Sequence, residues 1–181
     1  MIGGSFPGLS TPSAEPEGPL ELLSRLHSNT LQYCARLRLL VSHLDEYGCD
    51  DEARGAAESV LGCFGHSAPK DFRDEEEDLF PALLESMAGS DAVCLNQLTS
   101  GMTLQHRTLE MMWERLRKPL AAVASGQGST LDSAEVEAFV TLYQSHIERE
   151  QSELFPMAAR LLTDEALEQV WDSMRKRHSE T

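Results

Sequence analysis

Apolar residues recur every three or four positions through most of the chain, and the interruptions divide it into rods. From Pro19 to about Tyr47, Leu20, Leu23, His27, Leu31, Cys34, Leu37, Val41 and Leu44 form one stripe, the period of an amphipathic helix. Pro19 suits a first helical turn and Gly48 an end. A second stretch starts at Asp50 or Asp51, both good N-caps, and runs through Val60, Leu61 and Phe64 to the segment GHSAP. Pro69 has no amide hydrogen and disfavours helix just before it, which predicts a kink or break around Gly65 to Pro69. Helix then resumes through Leu83 to about Met87. A third helix is predicted from Asp91 to about Ser125, with Leu95, Leu98, Met102, His106, Leu109, Glu110, Trp113 and Leu116 along one side and Pro119 near its end. After the loop GQGST, Ser133, Val136, Phe139, Tyr143, His146, Glu150, Leu154 and Met157 mark the fourth. Thr163 caps a short fifth helix, TDEALEQVWDSMRKRH, whose basic end complements its dipole. Pro81 and Pro156 fall inside their patterns and predict a local distortion at each place.

Residues 1–18, MIGGSFPGLSTPSAEPEG, have little to bury and read as a flexible arm. That leaves 19–178 as one domain, and 181 residues supply one full core. His27 precedes His106 by 79 residues and Asp71 precedes His146 by 75. The near-constant offset predicts two related helical hairpins. The fold class is all-α: an antiparallel up-down four-helix bundle with a short fifth C-terminal helix.

Two segments repeat a pattern of chemistry. Asp71 to Pro81 reads DFRDEEEDLFP and His146 to Pro156 reads HIEREQSELFP; each has a ligand-type residue, a Glu four positions on, and Leu-Phe-Pro after it. Residues four apart share a helix face, so Asp71 pairs with Glu75 and His146 with Glu150. His106 and Glu110 repeat the spacing without Leu-Phe-Pro, and His27 lies within an apolar stripe. Any one such pair is more often a solvated ion pair than a site, and a lone His on an apolar face is more often a core residue. The coincidence of the spacing on three helices, each time in phase with large apolar residues, favours ligands pointing inward. Asp74, Glu76, Glu77 and Asp78 read as a solvated face, and His43 and His178 as structural residues near helix ends.

Three imidazoles and four carboxylates cannot be buried together without cations among them. The mixed set suits iron, manganese or zinc, whereas calcium and magnesium prefer oxygen alone. Seven side chains exceed one six-coordinate ion and fit two ions bridged by carboxylates. The net charge of -15, from 30 acidic and 15 basic residues, argues against nucleic acid or an anionic membrane surface as partner. Cys34, Cys49, Cys63 and Cys94 lack any C-x-x-C spacing and read as reduced thiols of a cytoplasmic protein. The N-terminus shows no signal-peptide pattern, and no run is long enough to span a membrane.

At these residues the sequence resembles the hemerythrin-like (HHE cation-binding) family, over residues 19 to 162. The resemblance rests on His27, DEEEDLFP, His106 to Glu110, and HIEREQSELFP. It implies a four-helix bundle holding two non-haem iron ions, oxo- or hydroxo-bridged, with manganese or zinc as alternatives. It implies Glu75 and Glu150 as bridging carboxylates, His27, His106 and His146 as terminal ligands, and Glu110 as a further ligand. The chain departs from the family where Asp71 stands in place of the usual His, and where Phe72 stands at a position that is often a second His. His66 could fill the gap only if a break at Pro69 turned it inward. A carboxylate-rich set stabilises the ferric state, so the expected role is reaction with oxygen, hydrogen peroxide or nitric oxide, such as catalase-like, peroxidase-like or oxidase activity, and not oxygen storage. A sensing module that acts through a partner without turnover is the alternative; a purely structural bundle would be metal-free. The expected partners are a diatomic or peroxide ligand and an electron donor or protein partner, in a monomer or dimer. Tyr143, one turn before His146, reads as packing.

Overall fold

A computed structural model describes residues 6, 8–9, 15–86, 90–128 and 130–179; the rest of the expected arm and the expected helix end at Met87 lie outside them. The described residues are all-helical, without a strand. Helix α1 spans Pro19–Tyr47. A second rod comprises α2 (Asp51–Gly62), α3 (Ala68–Arg73) and α4 (Phe80–Glu85), joined by the wide π-helical turns π1 (Cys63–Ser67) and π2 (Asp74–Leu79). Helix α5 spans Ser90–Ala124 and passes through Pro119 without ending. A fourth rod comprises α6 (Ser133–Arg149), the turn π3 (Glu150–Leu154) and α7 (Phe155–Leu161), and α8 (Asp164–Ser179) follows. Helix α1 packs on α2 and α6, and α5 packs on the same two.

Local chemistry sets the ends. The Asp50 carboxylate accepts from the Ala53 amide at 2.8 Å, capping α2 and reaching His43 Nε2 at 2.8 Å. Asp132 does the same for α6 through Ala134 and Glu135. Gly48, at φ +75°, donates its amide to Leu44 and closes α1, a conformation that only glycine adopts without strain.

The kink or break expected around Gly65 to Pro69 takes the form of a widening: the backbone there opens into π1 and stays helical. His66 is exposed on it and does not turn inward. All three π turns end the same way. Ala68, Phe80 and Phe155 donate to the carbonyl five residues back, at Cys63, Glu75 and Glu150, and each is followed by a proline. Proline cannot donate, and its ring clashes with the carbonyl four residues back. A widened turn just before it removes the clash while keeping the rod continuous. The distortions expected at Pro81 and Pro156 therefore take this form.

The interior divides into two apolar clusters. One gathers Cys34, Leu37, Phe64, Phe72, Leu109, Trp113, Phe139 and Tyr143, among others; the second gathers Leu23, Leu79, Phe80, Met102, Leu154, Phe155 and Met174. Along α1 the boundary between them falls at His27, along α5 at His106, along the second rod at Glu75, and along the fourth at His146 to Glu150. Burial of both clusters, at roughly 25 cal/mol per Å² of apolar surface, holds a polar layer between them. Phe6 of the arm packs beside His43, with ring centroids 5.2 Å apart, and under Arg36. Cys34 and Cys63 are buried free thiols, and burial pushes Cys34 up to about 12. No helix among the described residues is long and apolar enough to cross a membrane.

Candidate metal centre

Four rods deliver five side chains to the polar layer. His27 comes from α1, Glu75 from π2, His106 from α5, His146 from the end of α6 and Glu150 from the start of π3. All are at most 4% exposed. His27 Nε2 lies 3.5 Å from Glu75 Oε1 and 3.2 Å from Glu150 Oε2. On the other side His106 Nε2 lies 3.1 Å from Glu75 Oε2, and His146 Nε2 lies 2.8 Å from Glu150 Oε1. Each carboxylate thus turns one oxygen toward His27 and the other toward the His106–His146 pair.

The donor atoms are short of hydrogen bonds. Glu75 Oε2, both oxygens of Glu150 and His27 Nδ1 are buried without a hydrogen-bond partner, although such groups are almost always satisfied in a folded protein. His106 Nε2 and His146 Nε2 face each other at 3.0 Å. Their far nitrogens are occupied: His106 Nδ1 meets Glu76 Oε1 at 2.6 Å and His146 Nδ1 meets Gln105 Oε1 at 3.2 Å. Carboxylate and amide oxygens only accept, so each Nδ1 carries a hydrogen and each ring turns its Nε2 to the shared space, where a lone pair is available once that nitrogen is unprotonated. Lone pairs and carboxylate oxygens converging on one focus repel unless a cation lies among them. This is the arrangement in which ligand imidazoles are oriented by an outer hydrogen bond. Glu75, His106, His146 and Glu150 offer ligand atoms within 4.8 Å of one another, so the residues present fit a metal.

Electrostatics gives the same account for the protein without an ion. Burial acts to lower the imidazole pKa of His106, but contacts with Glu150, Glu75 and Glu76 outweigh it and raise it to about 10. His27 is raised too, burial being outweighed by Glu75 and Glu150. Glu75 is pulled down, its burial overcome by His106 and His27. A proton on an imidazole is the substitute for a metal ion in such a cluster, and metal binding displaces it.

Two residues of the expected set are placed elsewhere. Glu110 is not brought to the cluster: its side chain is 43% exposed and held by Arg107 at 2.9 Å. That places Glu110 on the rim of a recess of about 490 Å³. Asp71 is buried, but its ligand atom groups with those of Asp74 and His178 and not with the four-residue cluster. Burial pushes its carboxyl well above 3.8, and the neighbouring charges of Glu75, Asp74 and Glu150 add to this. Phe72 stacks on His106, ring centroids 4.0 Å apart, and with Tyr143 and Phe139 it floors the recess. Tyr143 is buried against Phe64, Phe72 and Phe139, as packing requires.

Asp74, Glu76 and His178, read from the sequence as solvated or structural, take part here, as does Gln105. Asp74 is fully buried, because Arg177 and His178 at the end of α8 cover it. Glu76 orients His106, and its other oxygen is held by Arg107. Gln105, which carried no signal of its own, orients His146. Only the packing of π2 against α5 and α8 reveals these partners.

The Hemerythrin HHE cation binding domain matches residues 18–158. An uncharacterized protein of Haemophilus influenzae is 29% identical over 159 residues, which covers 88% of this chain and 89% of that protein.

Proposed function

Because this chain belongs to the hemerythrin HHE cation-binding family, we propose that it holds two non-haem iron ions in an antiparallel four-helix bundle and reacts with oxygen, hydrogen peroxide or nitric oxide. The observation that carries the reading is the convergence of orphaned, buried donor atoms on the space between Glu75, Glu150 and three imidazoles. Three Nε2 atoms and four carboxylate oxygens suit two ions, which His27, His106 and His146 would hold together with Glu75 and Glu150, each of which offers oxygens to both sides. Some coordination positions then remain for a small ligand. Bound iron supplies one-electron changes at each of two ions, which matches the two-electron chemistry of peroxide and oxygen.

The protein's own residues set the conditions. Glu76 and Gln105 fix the tautomers of His106 and His146, and the negative charge of Glu76 raises the basicity of His106. With Glu110 and Asp71 outside, three imidazoles and two carboxylates remain at the centre, so the donor set is less rich in carboxylate than the sequence suggested. The apolar clusters on either side exclude bulk water. Phe72, stacked on His106 at the floor of the aromatic recess, places one aromatic ring between that recess and the cluster.

Elemental analysis of iron-loaded protein should give at least two irons per chain with a yellow to brown colour, and a Clark electrode should record oxygen evolution from peroxide above that of free iron. His106→Ala and Glu150→Ala should each hold two irons fewer per chain and lose the colour. Full retention of metal in both variants would reject the site. Tight iron without turnover would instead favour a sensing role.

A further inference from the structure

We propose that Asp71, Asp74 and His178 form a second, outer site for one divalent transition-metal ion, separate from the cluster of Glu75, His106, His146 and Glu150. The three residues offer ligand atoms that all lie within 4.8 Å of one another. Asp71 and Asp74 belong to α3 and the start of π2, and His178 to the last turn of α8. His178 Nε2 is 2.6 Å from Asp74 Oδ2. Asp71, only 5% exposed, has a buried Oδ1 without a hydrogen-bond partner, and Asp74 is fully buried beside it. An orphaned buried carboxylate oxygen next to a second carboxylate and an imidazole is a half-built coordination sphere.

Charge balance points to a divalent ion. Four carboxylates gather here, from Asp71, Asp74, Glu77 and Asp78, against two guanidinium groups, Arg73 on Glu77 and Arg177 on Asp74, Asp78 and Glu77. Of these carboxylates only Asp71 and Asp74 are buried, side by side, and carboxylates buried together are costly without a cation. Arg177 does not block the site. It keeps Asp78 at 2.7 Å and Glu77 at 3.1 Å when a metal ion takes over Asp74. One imidazole with two carboxylates selects borderline ions such as Fe²⁺, Mn²⁺, Co²⁺ or Zn²⁺ over Ca²⁺ and Mg²⁺, which prefer oxygen alone. The His178 side chain is 25% exposed, so an ion arrives from solvent at this end of the site and needs no opening of the inner layer. The widened turn π2 makes the arrangement possible, because it places Glu75 in the inner layer and the adjacent Asp74 under α8.

Co²⁺ titration of chelator-stripped full-length protein, followed by visible absorption and calorimetry, tests this. His178→Ala should bind one Co²⁺ fewer per chain than the unmodified protein. In a Glu150→Gln background, where the inner site is disabled, one Co²⁺ should remain and should be removed by adding His178→Ala. Asp71→Asn should give the same loss, which guards against an undocked α8 in the His178 variant; unchanged helical circular dichroism provides the same check. The proposal is overturned if the Co²⁺ count is the same with and without His178 in both backgrounds. If Glu150→Gln changes no count while His178→Ala removes one ion, the inner reading has failed and the outer site stands.

Discussion

Asp71→Asn in chelator-stripped protein should raise the melting temperature at neutral pH. Asp71 is 5% exposed with Oδ1 unpartnered, and its carboxyl is pushed well above 3.8 by burial first and then by Glu75, Asp74 and Glu150. A carboxyl whose folded value lies above its unfolded one costs free energy wherever the unfolded chain would ionise it. The cost is absent below about 3.8 and grows with pH until the folded value is reached. An amide of the same shape removes the charge. Relieving one buried unsatisfied polar group is worth about 1–3 kcal/mol, and at about 2–4 °C per kcal/mol for a chain of this length the gain is about 2–12 °C at pH 7. Thermal melts followed by circular dichroism at pH 4 and pH 7 would measure it, with the difference between variant and parent shrinking at the lower pH. A lower melting temperature for the variant, or a difference that does not change with pH, would refute the account of Asp71 as an uncompensated buried carboxyl.

Glu76→Ala removes the acceptor that orients His106, and iron affinity measured by chelator competition should fall about 10–100-fold with the stoichiometry unchanged; loss of stoichiometry would make Glu76 a direct ligand. Phe139→Ala opens a cavity beside Phe64, Trp113 and Tyr143, so urea unfolding should show a loss of about 3–5 kcal/mol while bound iron stays constant. Asp50→Ala removes the cap of α2 and should cost about 1 kcal/mol near neutral pH. The Asp50 carboxyl is held below 3.8 by the Ala53 amide and then by His43, so its contribution is present above the unfolded value and lost as pH falls through the lower folded value. Urea midpoints of variant and parent should therefore converge in acid, and a gap that persists there would count against the cap.

The sequence alone determined that the chain is helical, where its rods run, and that His27, Glu75, His106, His146 and Glu150 face inward, because hydrophobic periodicity and four-residue spacing are local properties of a helix. It also marked the prolines that widen the rods, as a kink or break at Pro69 and a local distortion at Pro81 and Pro156. Which charged residues are buried beyond those five was decided by tertiary structure. Glu110 shares the spacing of His146 and Glu150, but Arg107 holds its carboxylate at the rim. Asp74 and Glu76 sit in a run of acids that any sequence reading assigns to solvent, until α8 lays Arg177 and His178 over one and α5 brings His106 and Arg107 to the other. Burial of a charge depends on what another part of the chain places against it, and local pattern carries no record of a partner 30 or 104 residues away.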